Sequence, residues 1–201
     1  MEFVVRRLAG AEVLPYLADA ARLRISVFRE FPYLYDGDEE SERGYLRSYA
    51  ECPQSVFVLA EAGGQIVGVS TGLPMSDADA SFREPFEKAG IDPSGWFYFG
   101  ESVLDPAWRG KGIGHAFFDH REQHAIGLGF SKFCFCAVVR PEDHPLKPDG
   151  YRSNDAFWAK RGYVIRPGLS CSFAWHQVDS AGEDVENELI FRTRELPAAQ
   201  M

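Results

Sequence analysis

The most constraining stretch of the chain is a strand, a glycine loop, a helix and a second strand in succession. Residues 96–104 read as a strand stopped by Pro106. The chain then runs Trp108-Arg109-Gly110-Lys111-Gly112-Ile113-Gly114 directly into a helix over residues 112–128. After it comes a near-continuous apolar strand at residues 132–139 (KFCFCAVV), a pattern that belongs in the middle of a sheet. Three alternating glycines let a backbone turn sharply and approach a ligand closely. A helix N-terminus adds unpaired N–H groups and a partial positive charge, an anion site. Arg109 and Lys111 place dense positive charge there, in a chain whose net charge is −9. Together these features fit a phosphate or pyrophosphate.

Around this unit the periodicities predict a strand at residues 3–8 and an amphipathic helix over 13–31, broken by Pro32. An aromatic loop, Phe31-Pro32-Tyr33-Leu34-Tyr35-Asp36, leads to a second helix at 39–51. Strands at 55–61 and 65–73 flank an Ala-Gly-Gly turn. Residues 74–95 are polar, broken by prolines, and carry one short helix near 81–88. A short helix at 154–161 precedes two last strands, 170–178 and 188–194. The order is that of an α/β fold, a mixed sheet with helices on both faces, and residues 1–201 read as a single domain.

An acidic chain argues against nucleic acid or a membrane surface as partner, since both need a basic field. No run of 18 apolar residues exists to cross a bilayer. The opening MEFVVRRLAG places its arginines after a short apolar stretch, the reverse of a signal peptide. Cys134 and Cys136 are two apart in a strand, so they share a face, and with Cys52 and Cys171 they read as reduced thiols of a cytoplasmic protein. His120 and His124 stand at i, i+4, but Arg121 occupies the place of the glutamate in a zinc helix. They read as a solvated face, with no metal expected.

Two other phosphate motifs fail here. No Gly-Lys has the Walker A context, and the third glycine of a dinucleotide fingerprint would fall on His115 or Phe117. The Arg-x-x-Gly-x-Gly loop after Val103-Leu104-Asp105-Pro106 closely resembles that of the GNAT superfamily of N-acetyltransferases. So does ISVFREFPYLYDG at residues 25–37, the first helix and acceptor-side loop. So does Ala156-Phe157-Trp158-Ala159-Lys160-Arg161-Gly162-Tyr163, a late helix ending in Gly-aromatic. The resemblance covers nearly the whole chain.

It implies a GNAT-like acyl-CoA-binding fold with a splayed central strand pair, here residues 96–104 and 132–139. Acetyl-CoA is the implied co-substrate, its pyrophosphate on Arg109, Gly110, Lys111, Gly112, Ile113 and Gly114. Its pantetheine arm would pair with the splayed edge, and a backbone N–H of Val103 or Leu104 would polarise the acetyl carbonyl. The implied reaction is direct attack of a primary amine on the thioester. Glu101 is the candidate general base, with His144 as a second. The superfamily's tyrosine position holds Trp158, so Tyr151 or Tyr163 stands in as acid, unless the thiolate leaves unaided. Asn154 can cap the late helix and touch the cofactor. Phe31, Tyr33 and Tyr35, beside acidic residues 36–40, form the acceptor side, suited to a cationic small-molecule or peptide amine. Residues 74–95 could fold over that mouth. The competing reading is a non-catalytic acyl-CoA-binding module, and a homodimer is compatible with either.

Overall fold

The computed structural model describes residues 2–197. An eight-stranded sheet runs through the chain in the order β1 (Val4–Leu8), β2 (Val56–Ala62), β3 (Gln65–Pro74), β4 (Trp96–Tyr98), β6 (Lys132–Val138), β8 (Asp184–Glu195) and β7 (Val164–His176), with β5 (Ser102–Leu104) pairing β3. All pairings are antiparallel except β4 with β6.

Side chains alternate across the sheet and divide the core into two layers. Trp96, Tyr98, Cys134 and Cys136 face α1 (Leu17–Phe28), α2 (Glu39–Glu51) and α3 (Ala80–Lys88). Phe97, Phe99, Phe133 and Phe135 face α4 (Ile113–Gly127), and α5 (Asp155–Lys160) packs Phe157 and Trp158 on the same side. The shared face expected for Cys134 and Cys136 is thus present, and all four cysteines are free thiols.

Several expected boundaries move, each for a local reason. The first helix starts at Leu17, because Pro15, with no amide to donate, sits in a 3-10 segment, Gly10–Tyr16. Helix α2 begins where expected, its Asp38 side chain accepting from the Glu40 and Ser41 amides at 3.0 Å. Strand β7 reaches back to Val164 through a register shift between Ile165 and Ser170. Residues 74–95 reach the cavity through Asp79, Ser81 and Phe82. Helix α3 is built into the core, with the Phe82 ring 4.6 Å from Tyr98 and 4.7 Å from Phe173, and Phe86 against Trp96 and Phe191.

The expected strand at 96–104 is two strands separated by Phe99, Gly100 and Glu101. Gly100 crosses there so close to α2 and β3 that a Cβ would overlap the Tyr49 and Thr71 hydroxyls. Its amide donates to Thr71 O (3.1 Å), and the Thr71 amide donates to Glu101 O (3.1 Å). The last bond to β6 is from the Phe99 amide to Cys134 O (2.8 Å). Beyond it β5 stays on β3 alone, and the sheet opens between β5 and the end of β6.

Candidate active site

This opening leads into a cavity of about 1430 Å³ that reaches both faces of the sheet. Along β5 and its two flanking residues, 101, 103 and 105 spend their backbone on β3: Glu101 O accepts from the Thr71 amide, the Asp105 amide donates to Val67 O (2.9 Å), and Val103 lies opposite Val69. Backbone groups alternate along a strand, so the Ser102 and Leu104 amides face the gap. Of the two amides expected to serve a ligand, Leu104 is therefore the one available. Val103 is turned to β3 and its side chain is fully buried.

On the α4 side, the Asp105 carboxylate caps the turn Pro106–Trp108 by accepting from the Ala107 amide (2.8 Å). Gly110 and Gly112 then take φ of +75° and +88°, and no atom comes near the place of a Cβ at either. Gly112 is the N-cap of α4, so no side chain occupies the free first-turn amides. Gly114 borders the cavity, and Ile113 buries its side chain in the core and offers only its amide. Arg109 borders the cavity and pairs with Glu30 across it at 3.0 Å. Lys111, like Gly110, Gly112 and Ile113, is not among the lining residues, and its Nζ folds back to Ala107 O (3.0 Å) over the Trp108 ring. Asn154 stands at the start of α5 without a side-chain cap bond, against expectation, and borders the cavity. Trp158 lies beside it, 5.0 Å from Phe135 and under the Arg192 guanidinium at 4.6 Å.

The opposite half of the cavity is aromatic and ionic. Glu101 enters it 6% exposed, one oxygen 2.8 Å from Arg24 and 3.3 Å from the Tyr45 hydroxyl, the other buried and without a partner among the described residues. Tyr33 lies between Phe28 (4.5 Å) and Trp175 (6.0 Å). Burial pushes its hydroxyl well above the ordinary tyrosine value, and it pushes up Tyr35 too, where Glu42 adds to the effect. Phe31 meets Tyr151 edge-on at 4.7 Å and His144 at 5.6 Å. Tyr151 forms cavity wall, but His144 stands behind Phe31, its Nδ1 accepting from the Leu146 amide (3.2 Å), and does not reach the cavity. Tyr163 packs on the α4 side and donates to Glu122 (2.9 Å), away from the gap.

Arg140, at the end of β6, anchors the aromatic loop. It donates to Pro32 O (2.6 Å) and Tyr33 O (2.9 Å), and to the side chains of Gln177 and Asn187 (both 2.6 Å). Sequence reading missed Arg140, Arg24, Glu42 and Arg121. For three of them a signal was there: Arg24, Glu42 and Arg121 sit on the apolar stripes of their helices, where a charge is out of pattern. Arg121, 2% exposed, lies between Phe99 and Phe118 and donates to Thr71 O (3.2 Å) and Glu101 O (3.3 Å), which fixes the break between β4 and β5. Burial lowers its pKa to about 10. It therefore does not share the surface of His120 and His124. His124 in turn is half-buried, with its Nε2 2.9 Å from Gln54 O, rather than solvated. Among the described residues no three His, Cys, Asp or Glu side chains converge as metal ligands.

The site is thus a mixed sheet opened beside one parallel strand pair, with a glycine loop and a helix N-terminus at the opening. The model of the acetyltransferase (GNAT) family matches residues 21–147, more than half the chain. The chain belongs to this family of acetyltransferases. No curated protein matches it. Solved structures share the fold at low identity. A Drosophila melanogaster polyamine N-acetyltransferase that forms N-acetylagmatine has 13% identity and a TM-score of 0.61, over 97% of this chain and 100% of that one. A ribosomal-protein-alanine N-acetyltransferase from Brucella melitensis has 14% identity and a TM-score of 0.60, over 96% and 99%. A Salmonella typhimurium protein assigned as an acetyltransferase, solved with acetyl-CoA, has 11% identity and a TM-score of 0.58, over 98% and 95%.

Proposed function

We propose that the chain transfers the acetyl group of acetyl-CoA to a primary amine by direct attack on the thioester. One observation supports this reading: Leu104, whose amide faces the gap, and Glu101, which keeps one carboxylate oxygen without a partner among the described residues, line one cavity, three residues apart on a broken strand. The residues present fit acetyl-CoA. The uncapped amides of Ile113 and Gly114, the open space at Gly110 and Gly112, and Arg109 would hold the pyrophosphate. The Ser102 and Leu104 edge would pair with the pantetheine amides, and Asn154 borders the same space. Once bound, acetyl-CoA supplies the thioester.

The chain's own groups then have separable roles. The Leu104 amide donates to the acetyl carbonyl, where a donor of this kind is worth about 3–4 kcal/mol as charge develops. Glu101 takes a proton from the ammonium of the acceptor, directly or through water. Tyr151 keeps its proton at neutral pH, because burial raises its pKa, and it stands on the wall from which a proton could pass to the thiolate. The walls from Phe28, Tyr33, Tyr35 and Trp175 suit an amine with an apolar body, and Asp79 suits its positive charge. Agmatine and polyamines, acted on by a similar fold, head the candidates. The chain is read as one cytoplasmic domain.

The test is thiol release from acetyl-CoA with agmatine, polyamines, amino acids, aminoglycosides and peptide N-termini. Glu101→Gln should slow the reaction with the amine that reacts by about 100-fold at neutral pH, with the deficit shrinking at high pH, where more amine is already neutral. Tight CoA binding with no release for any amine would favour the binding-module reading instead.

A further inference from the structure

Helix α1 buries Leu17, Ala20 and Ala21, and Arg24 continues the same stripe, 8% exposed. Its partners are two carboxylates from different elements. Its Nε donates to Glu42 of α2, and an Nη lies 2.8 Å from Glu101 Oε2. Glu42 is 3% exposed. Phe28 and Tyr45 cover the guanidinium at 4.9 and 4.5 Å. Burial pulls its pKa down, but the charge of Glu101, with Tyr45 and Glu42, more than offsets this and leaves it above the ordinary arginine value. Arg24 therefore stays a cation.

Glu101 is held unevenly. Oε2 has Arg24 and the Tyr45 hydroxyl, whereas Oε1 has no partner among the described residues. A buried carboxylate oxygen without a donor is costly, and the residue that carries it is among those that line the cavity. One arginine between two carboxylates leaves this side-chain cluster with one negative charge in excess. The other titratable groups around Glu101 do not cancel it. Tyr45 and Tyr49 of α2 and Tyr33 of the loop are raised by burial and neutral at neutral pH. From β6, the Cys136 thiol lies 3.5 Å from the Tyr98 hydroxyl. From α4, Arg121 reaches the Glu101 backbone carbonyl, not its carboxylate.

We propose that Arg24 is a positioning residue of this site: shared between Glu42 and Glu101, it occupies Oε2 of Glu101 and supplies its counter-charge, which leaves Oε1 as the oxygen free to receive the proton of an incoming ammonium. This rests on the reading of Glu101 as the group that meets the amine. Glu42 weakens the hold by drawing on the same cation.

The test reads Glu101 directly, by carboxyl-carbon NMR of glutamate-labelled protein, with the signal assigned by its loss in Glu101→Gln. In Arg24→Gln the titration midpoint rises by about one pH unit or more, the scale on which a neighbouring arginine acts on a carboxylate. Adding Glu42→Gln brings it partway back, because one of the two like charges is gone. A purely structural role would lower Tm in both variants and leave the midpoint in place, which overturns the proposal. Should Arg24→Gln not fold, the double variant carries the test: a midpoint above wild type supports the proposal, and one coincident with wild type overturns it. Thiol release keeps the two readings apart. A Glu101→Gln chain with wild-type turnover sinks the base, whereas a slow Glu101→Gln with an unshifted Arg24→Gln midpoint sinks only the positioning role.

Discussion

Replacing Gly114 by alanine separates what the glycine loop does for the ligand from what it does for the fold. Gly114 lies in the first turn of α4 without a positive φ, and an added Cβ would meet only the Phe157 ring, at an ordinary 3.6 Å. The free protein therefore has room for it, and the gain in helix propensity is at most about 1 kcal/mol, or about 2–4 °C in Tm for a chain of this size. A phosphate on the first-turn amides must approach to about 2.9 Å. A methyl group there pushes it out of reach of at least one amide. Losing one hydrogen bond to a charged group costs about 1.5–3 kcal/mol, which weakens Kd by about 10- to 150-fold. Calorimetry with CoA beside a thermal melt reads both quantities. Gly112→Ala is the contrast: at φ +88° it strains the backbone by about 1–2 kcal/mol, so it loses Tm as well as affinity. A Gly114→Ala chain that melts no lower and binds CoA as tightly as wild type would refute the phosphate cradle.

Arg109→Ala should weaken CoA binding by about 10-fold, while Glu30→Gln, which removes the competing partner at 3.0 Å, should tighten it; calorimetry showing neither change removes Arg109 from the ligand. Trp158→Phe should leave turnover within a few-fold, and Tyr151→Phe should cost about 10-fold or more if Tyr151 protonates the thiolate, with equal small effects leaving the thiolate to depart unaided. In alkali, stability should collapse. Burial raises Tyr45, Tyr49 and Tyr98 well above 10.0, so the unfolded chain loses these protons first. Their contribution is whole below pH 10 and is lost as pH rises toward the folded values. Tm measured against pH should fall steeply above about 10, with tyrosinate absorbance appearing together with unfolding. Tyrosinate that appears in a still-folded chain would contradict the burial.

Local signals carried the fold a long way. Periodicity, Asp38 as a cap, and the glycine loop placed the helices and most of the strands, and the splay fell between the expected segments. What a single stretch cannot show is where a strand changes neighbour. The break at Phe99–Glu101 exists because Gly100 passes under Tyr49 and Arg121 takes up the Glu101 carbonyl, contacts made across α2, β3 and α4. The same holds for the site. Arg109, Gly114 and Glu101 line one cavity, and their sequence signal was a run of consecutive loop residues with a carboxylate just before it. Arg24 meets Glu101, and Glu42 meets Arg24, only through packing, although a charge on an apolar stripe announced each of them. His144 and Lys111 were placed by proximity in sequence, and their side chains turn elsewhere.

The four bonds of Arg140 hold the aromatic loop before any amine arrives. Pro32 and Tyr33 are tied to the far ends of β7 and β8, Trp175 donates to Tyr33 O at 3.1 Å, and Tyr35 bridges to Gln177. The entropic cost of ordering this wall thus falls on folding rather than on binding. Such a wall rejects a body that is too wide instead of reshaping around it, so selectivity in this protein should change in steps rather than by degrees. It also means that the inheritance of selectivity is split along the chain. A lineage that altered Gln177 or Asn187, more than 140 positions after Tyr33, would re-aim the proposed acceptor wall without touching a residue of the aromatic loop.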